Sequence, residues 1–146
     1  MILVDVNLLV GATMTSAPDH EATRNWLQDQ LRGTARVGLP WVCVTGFVRV
    51  VGQPRVWERP LPVASALSIV RSWLSRPSAW IPEPGPRHLD ILESLLTAQP
   101  SVRLVTDAHI AAIAIEHGLE LASRDRDFTR WADLGLRSRD PTAVSG

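Results

Sequence analysis

The sequence predicts an α/β fold with a mostly parallel central sheet, and three observations carry that reading. The short, continuous apolar run Ile2-Leu3-Val4 reads as a strand buried on both faces, and Leu104-Val105 and Leu119-Glu120-Leu121-Ala122 read as further strands. Between them lie longer segments whose apolar residues recur at helical spacing. The 146 residues, 45% hydrophobic and 21% charged, suffice for one globular domain with its own core. Strands alternating with helices imply parallel pairing through right-handed crossovers. No internal repeat or domain boundary is visible. The expected organisation is a single domain over 1–140 and a loose tail over 141–146.

Each element has a local reason. The chain opens on the strand Ile2-Leu3-Val4, which ends in Asp5-Val6-Asn7. Ser16-Ala17-Pro18-Asp19 predicts a helix start, with serine as cap, proline in the first turn and Asp19 at the positive end of the dipole. Ala22, Trp26, Leu27 and Leu31 form its apolar stripe, and Gly33 stops it. Ala35 to Leu39 reads as a short strand. Trp41 to Val51 is rich in β-branched residues, yet Trp41, Val44, Val48 and Val51 fall on one helical face, so a helix is expected. Gln53 to Pro60 reads as a loop. Pro62 to Leu74 is a helix that buries Ala64, Leu67, Ile69-Val70 and Leu74. Trp80-Ile81 is a strand between Pro77 and Pro82. Pro86 to Thr97 is a helix with Leu89, Leu92, Leu95 and Leu96 inward. The strand Leu104-Val105 leads to a helix from Asp107 to His117 that ends at Gly118. The strand Leu119 to Ala122 follows, then a short helix around Arg126 to Trp131 and an edge strand near Leu136.

Composition narrows the function. Lys+Arg and Asp+Glu are both 15, so no strong overall field draws nucleic acid. All 15 basic residues are arginine, a bias that codon usage in a GC-rich genome explains without any function. Cys43 has no partner for an intramolecular disulfide and reads as a small buried hydrophobe. No stretch reaches the roughly 18 apolar residues of a membrane helix. The apolar start lacks a basic n-region and is interrupted by Asp5, so no signal peptide is expected and a cytoplasmic location follows. His20, His88, His109 and His117 have no partners at zinc-ligand spacing. His117 suits a helix C-terminus, and His109 lies two residues from Asp107. There is neither a nucleophile elbow nor a Gly-rich phosphate loop.

The chemistry gathers on aspartates. Asp5, Asp107 and Asp125 each follow a predicted strand, and ligands of open parallel sheets bind beyond the carboxyl ends of the strands. Each alone reads as a helix cap. Together they are an electrostatic problem, because two carboxylates about 4 Å apart repel by roughly 4 kcal/mol at an effective dielectric of about 20. A hard divalent cation is the natural solution. Asp127 is a further carboxylate, and Asn7 can orient a water or cap the turn. Arg124 and Arg126 flank Asp125, either paired and solvent-exposed or in contact with phosphate. A shared cation requires the carboxylates of Asp5, Asp107 and Asp125 to converge within metal-bridging reach.

The motifs resemble those of PIN-domain proteins, in particular the VapC-type toxins of bacterial toxin–antitoxin pairs. The resemblance rests on Leu3-Val4-Asp5-Val6-Asn7, Leu39-Pro40-Trp41, Phe47-Val48-Arg49-Val50, Gln53-Pro54-Arg55-Val56, Val105-Thr106-Asp107-Ala108-His109-Ile110-Ala111-Ala112 and Ser123-Arg124-Asp125-Arg126-Asp127-Phe128. It implies a three-layer α/β/α sandwich, an acidic Mg²⁺ or Mn²⁺ site, endoribonuclease activity on single-stranded RNA, homodimerisation and inhibition by a cognate antitoxin. Asp5, Asp107 and Asp125 take the family's acidic positions, with Asp127 beside them. Asn7, Thr106 and Ser123 are supporting residues, and Arg49, Arg124 and Arg126 are candidates for phosphate. The expected targets are loops of tRNA or ribosomal RNA. The antitoxin is expected to lay a helix or tail into an apolar groove, with Trp26, Phe47 and Val56-Trp57 as candidate contacts, and core packing as the plainer reading of Trp26 and Phe47. One departure stands out: Gly46 occupies a position where many members carry glutamate. It favours the rival reading, a PIN-like binding module without turnover.

Overall fold

The computed structural model describes residues 1–143. Strand β1 (Ile2–Val4) is fully buried and lies at the centre of a five-stranded sheet of order β3-β2-β1-β4-β5, in which every pairing is parallel. Its partners are β2 (Val37–Gly38) and β4 (Glu120–Ala122), with Leu3 opposite both Gly38 and Leu121. The edges are β3 (Ala79–Trp80) and β5 (Ser138–Arg139). A central strand covered on both faces has no solvent side, which is why its sequence is continuously apolar rather than alternating.

Helices flank the sheet in two groups. On one side α1 (Val6–Thr13) packs on α2 (His20–Arg32) and α3 (Trp41–Val51), and α3 packs on α4 (Val63–Leu74). The other group pairs α5 (His88–Ala98) with α6 (Val105–His117). A 3₁₀ stretch, Arg126–Leu134, is tied to α5 by Trp131, whose buried Nε1 donates to the Leu95 carbonyl at 3.1 Å. The layers are those of the expected three-layer sandwich.

Several local expectations differ from the structure. Helix α1 is not anticipated by the apolar pattern, because Leu8 to Ala12 are all buried and a helix covered on every side lacks an amphipathic stripe. Helix α2 starts at His20, not at Ser16, with Asp19 in the left-handed region (φ 56°), and it buries Thr23, Leu27 and Leu31 while Ala22 is exposed. Leu104-Val105 is not a strand. Val102–Leu104 forms a 3₁₀ turn and α6 begins at Val105, so the aspartate at 107 sits in a helix's first turn. Ala64, Leu67 and Leu89 face solvent rather than the core. The edge strand lies just beyond Leu136, at Ser138–Arg139. Gly118 ends α6 in the left-handed conformation (φ 68°), as glycine after a helix should. Of the expected tail, Thr142 bonds the Asp140 carboxylate, and 144–146 lie outside the described residues.

Candidate active site

Pairing of β1 with β4 assembles the site. The ladder runs one residue past β1, where the Asp5 N–H donates to the Ala122 carbonyl at 3.0 Å. That register sets Asp5 beside Ser123, although 118 residues separate them. The Ser123 hydroxyl is buried and acts as a hub. It donates to Asp5 Oδ2 at 2.7 Å and accepts from Asn7 Nδ2 at 3.1 Å and from the Asp125 N–H at 3.0 Å. Asn7 Oδ1 in turn accepts from the Arg124 N–H at 3.2 Å. The Asp5 and Asp125 motifs are thus locked together by neutral side chains.

All three aspartates stand at helix N-termini. Asp5 Oδ1 accepts from the Val6 N–H at 2.7 Å and caps α1. Asp125 Oδ1 accepts from the Asp127 N–H at 2.9 Å and caps the 3₁₀ stretch. Asp107 lies in the first turn of α6. Backbone amides and dipoles there favour negative charge, so capping and site formation are the same arrangement. The relief is incomplete. Burial, followed by the Asp125 charge, holds the Asp5 carboxyl above its ordinary value despite the Ser123 and Val6 hydrogen bonds. Burial also raises Asp107, and the Asp5 and Asp125 charges raise it further, with Arg130 opposing them.

Asp5, Asn7, Thr106, Asp107 and Asp125 line one cleft together with Arg49, Trp57 and Arg124. A second cleft is lined by Asp107, Asp125 and Asp127 with Arg103 and Arg130. Asp107 and Asp125 therefore form the wall between the two. Asp127 faces only the second cleft, 3.5 Å from the Arg130 guanidinium. Arg124 is bound to Asp19 and the Pro18 carbonyl, both at 2.9 Å, and Arg126 lines neither cleft. His109 lines neither cleft and pairs with His88 at 2.9 Å. Phe47 is fully buried against Trp73, and Trp26 packs on the core; of the suggested groove residues, Trp57 alone faces the acidic cleft.

Among the described residues, no three His, Cys, Asp or Glu side chains stand close enough together to hold a metal ion, so Asp5, Asp107 and Asp125 share a cleft without the metal-bridging convergence expected of them. The donors are nonetheless carboxylate oxygens that repel one another across a shared cleft. Such a set fits a hard dication that keeps much of its water shell and takes few direct protein ligands.

Gly46 lies on α3 against this site. A Cβ there would come within 3.0 Å of Val6 Cγ2, so the Val6 side chain fills the space a larger residue at 46 would need. One turn earlier, the Cys43 thiol is buried, and burial with the nearby Asp5 charge pushes its pKa well up, keeping it a neutral packing group. Arg103, Arg130 and the Ser123 hub were not marked as a set by the sequence. Their signal lies in contacts between distant segments, not in any local motif.

The PIN domain model matches residues 2–134 of this chain. The chain belongs to the PIN domain family. Ribonuclease VapC33 of Mycobacterium tuberculosis is 43% identical over 135 residues, 92% of this chain and 94% of its own length. Ribonuclease VapC37 of the same species is 40% identical over 145 residues, 99% of both chains. These relatives identify this PIN domain as VapC-type. Among solved structures, that of FitAB bound to an IR36 DNA fragment superposes with a TM-score of 0.67 at 19% identity, covering 100% of this chain and 99% of the other. VapBC2 from Rickettsia felis, bound to a DNA fragment from their promoter, superposes with a TM-score of 0.63 at 19% identity, covering 96% and 100%. At that identity the likeness speaks for the fold.

Proposed function

We propose that the chain is a Mg²⁺- or Mn²⁺-dependent endoribonuclease, the toxin of a toxin–antitoxin pair, with Asp5, Asp107 and Asp125 as its catalytic core. One observation carries the reading: three carboxylates from distant parts of the chain line a single cleft, where burial first and then the charges of both others raise Asp107. A cluster held in mutual repulsion is built for a cation. The ribonuclease names of the VapC relatives support RNA as the substrate.

A dication held by Asp5, Asp107 and Asp125 would supply positive charge beside the scissile phosphate and acidify a water. The remaining work falls to the chain. Ser123 fixes one Asp5 oxygen and the Val6 N–H the other, so that carboxylate has one orientation. Asn7 holds the Asp125 segment through the Arg124 N–H. Thr106 offers a hydroxyl at the cleft wall, and Arg49 a guanidinium for phosphate. Asp127 completes the acidic set from the neighbouring cleft. Loops of tRNA or ribosomal RNA are the expected targets, since single-stranded loops present bases and phosphates that a duplex hides. The partners in this reading are a cognate antitoxin, a second copy of the chain in a homodimer, and RNA in the cytoplasm. No helix among the described residues is long and apolar enough to cross a membrane.

The test is cleavage of mixed tRNA and ribosomal RNA by antitoxin-free protein in Mn²⁺, in Mg²⁺ and in EDTA. Metal-dependent cuts that vanish in Asp107→Asn support the reading. Cuts that persist in that variant refute the site. A second reading is a PIN-like binding module with little or no turnover. It is favoured by Gly46, where Val6 fills the space of an acidic side chain, and it predicts RNA or protein binding without cuts.

A further inference from the structure

The Asp107–Asp125 wall separates two clefts of unlike character. On one side lie Arg49 and Trp57, whose indole is pinned by an Nε1 bond to the Val50 carbonyl at 2.9 Å. On the other lie Arg103 and Arg130. Arg130 stands three residues after Asp127 on the 3₁₀ stretch, a spacing that stacks side chains on one line. Its Nε donates to the Asp127 carbonyl at 2.8 Å, and its charge reaches Asp107. Arg103, on the turn before α6, is exposed and makes no ion pair among the described residues. A centre with this much negative charge repels a polyanion, so cations on each side of it are what a phosphate chain requires.

We propose that single-stranded RNA crosses the acidic wall from cleft to cleft, with the phosphates on one side gripped by Arg103 and Arg130 and a base on the other resting on Trp57 beside Arg49. This rests on the ribonuclease reading and gives it a substrate path. Guanidiniums hold phosphate oxygens through paired N–H donors. A fixed indole accepts any base by stacking, which gives affinity with little sequence preference. A strand bending over the wall brings one phosphate to Asp107 and Asp125, whereas a stiff duplex does not follow both clefts.

The test uses the full chain, a short fluorescein-labelled single-stranded RNA of mixed sequence, and the variants Arg103→Ala, Arg103→Lys and Arg24→Ala, the last an exposed arginine outside both clefts. In Mn²⁺, Arg103→Ala is expected to raise KM about five- to tenfold with kcat within about twofold. Arg103→Lys should recover part of the loss, and Arg24→Ala should match wild type. The slope of log affinity against log salt should fall by about 0.7 on losing one phosphate contact. A wild type that cuts while Arg103→Ala keeps its KM and its salt slope overturns the path. If the wild type does not cut, anisotropy of the intact RNA decides. Affinity that depends on Arg103 upholds the path and refutes turnover, and affinity indifferent to Arg103 refutes the path.

Discussion

Replacing Ser123 by alanine tests the hub on which the site is built. The hydroxyl is buried and makes three hydrogen bonds, the shortest to Asp5 Oδ2 at 2.7 Å. Asp5 is itself only 7% exposed, so the freed oxygen gains little water. A hydrogen bond to a buried charged group contributes about 1.5–3 kcal/mol. The Asn7 and Asp125 donors, less deeply buried, add roughly 0.5 kcal/mol each. The expected loss is about 2.5–4 kcal/mol, or about 5–15 °C in Tm for a chain of this size. A second consequence is electrostatic. The Ser123 bond holds the Asp5 pKa down against burial, so its removal moves that pKa further up. The acid limb of the cleavage profile should then shift to higher pH, which a purely structural loss would not cause. Calorimetry and a pH–rate profile are the assays, with Ser123→Thr retaining the hydroxyl. A Tm within about 1 °C of wild type and an unmoved acid limb would refute the account of the hub.

Other perturbations follow from the same geometry. Asp107→Asn removes a carboxylate that its neighbours repel, so cleavage should fall by at least about 100-fold while Tm holds or rises; unfolding of that variant contradicts the repulsion argument. Asp5 and Asp107 both have folded-state pKa values above their ordinary 3.8, so the metal-free protein binds extra protons when folded. Their contribution to stability is therefore greatest below that ordinary value and is lost as pH rises through the raised values. Denaturant titrations of wild type and Asp5→Asn between pH 3.8 and neutrality should show this loss in the wild type and a weaker one in the variant. Mn²⁺ at about ten times its dissociation constant should restore about 1.4 kcal/mol at neutral pH, and not in Asp5→Asn. Gly46→Ala gains helix propensity of about 1 kcal/mol but presses on Val6 at 3.0 Å. Combining it with Val6→Ala should reveal a coupling of about 1 kcal/mol in a double-mutant cycle, and strict additivity would show that Val6 does not occupy that space.

The sequence by itself determined the layered α/β fold class and named the aspartates that the structure brings to one cleft. The apolar run Ile2-Leu3-Val4 announces a central strand because a strand covered on both faces has no solvent side to keep polar. Asp5 and Asp125 are legible because each follows a strand and precedes a helical turn, where a carboxylate satisfies free amides. Gly118 is legible because a helix must stop somewhere, and glycine stops it cheaply. Tertiary structure decided what periodicity cannot carry. Helix α1 is buried all round and so leaves no stripe to read. Leu104-Val105 looks like a strand, yet Leu104 closes a 3₁₀ turn and Val105 begins α6. Arg103 and Arg130 become a pair only when that turn and the 3₁₀ stretch meet across a cleft. Ser123 shows its role only when β4 lies beside β1 and sets its hydroxyl against Asp5. Local chemistry names the residues that can act; the register between strands determines which of them touch.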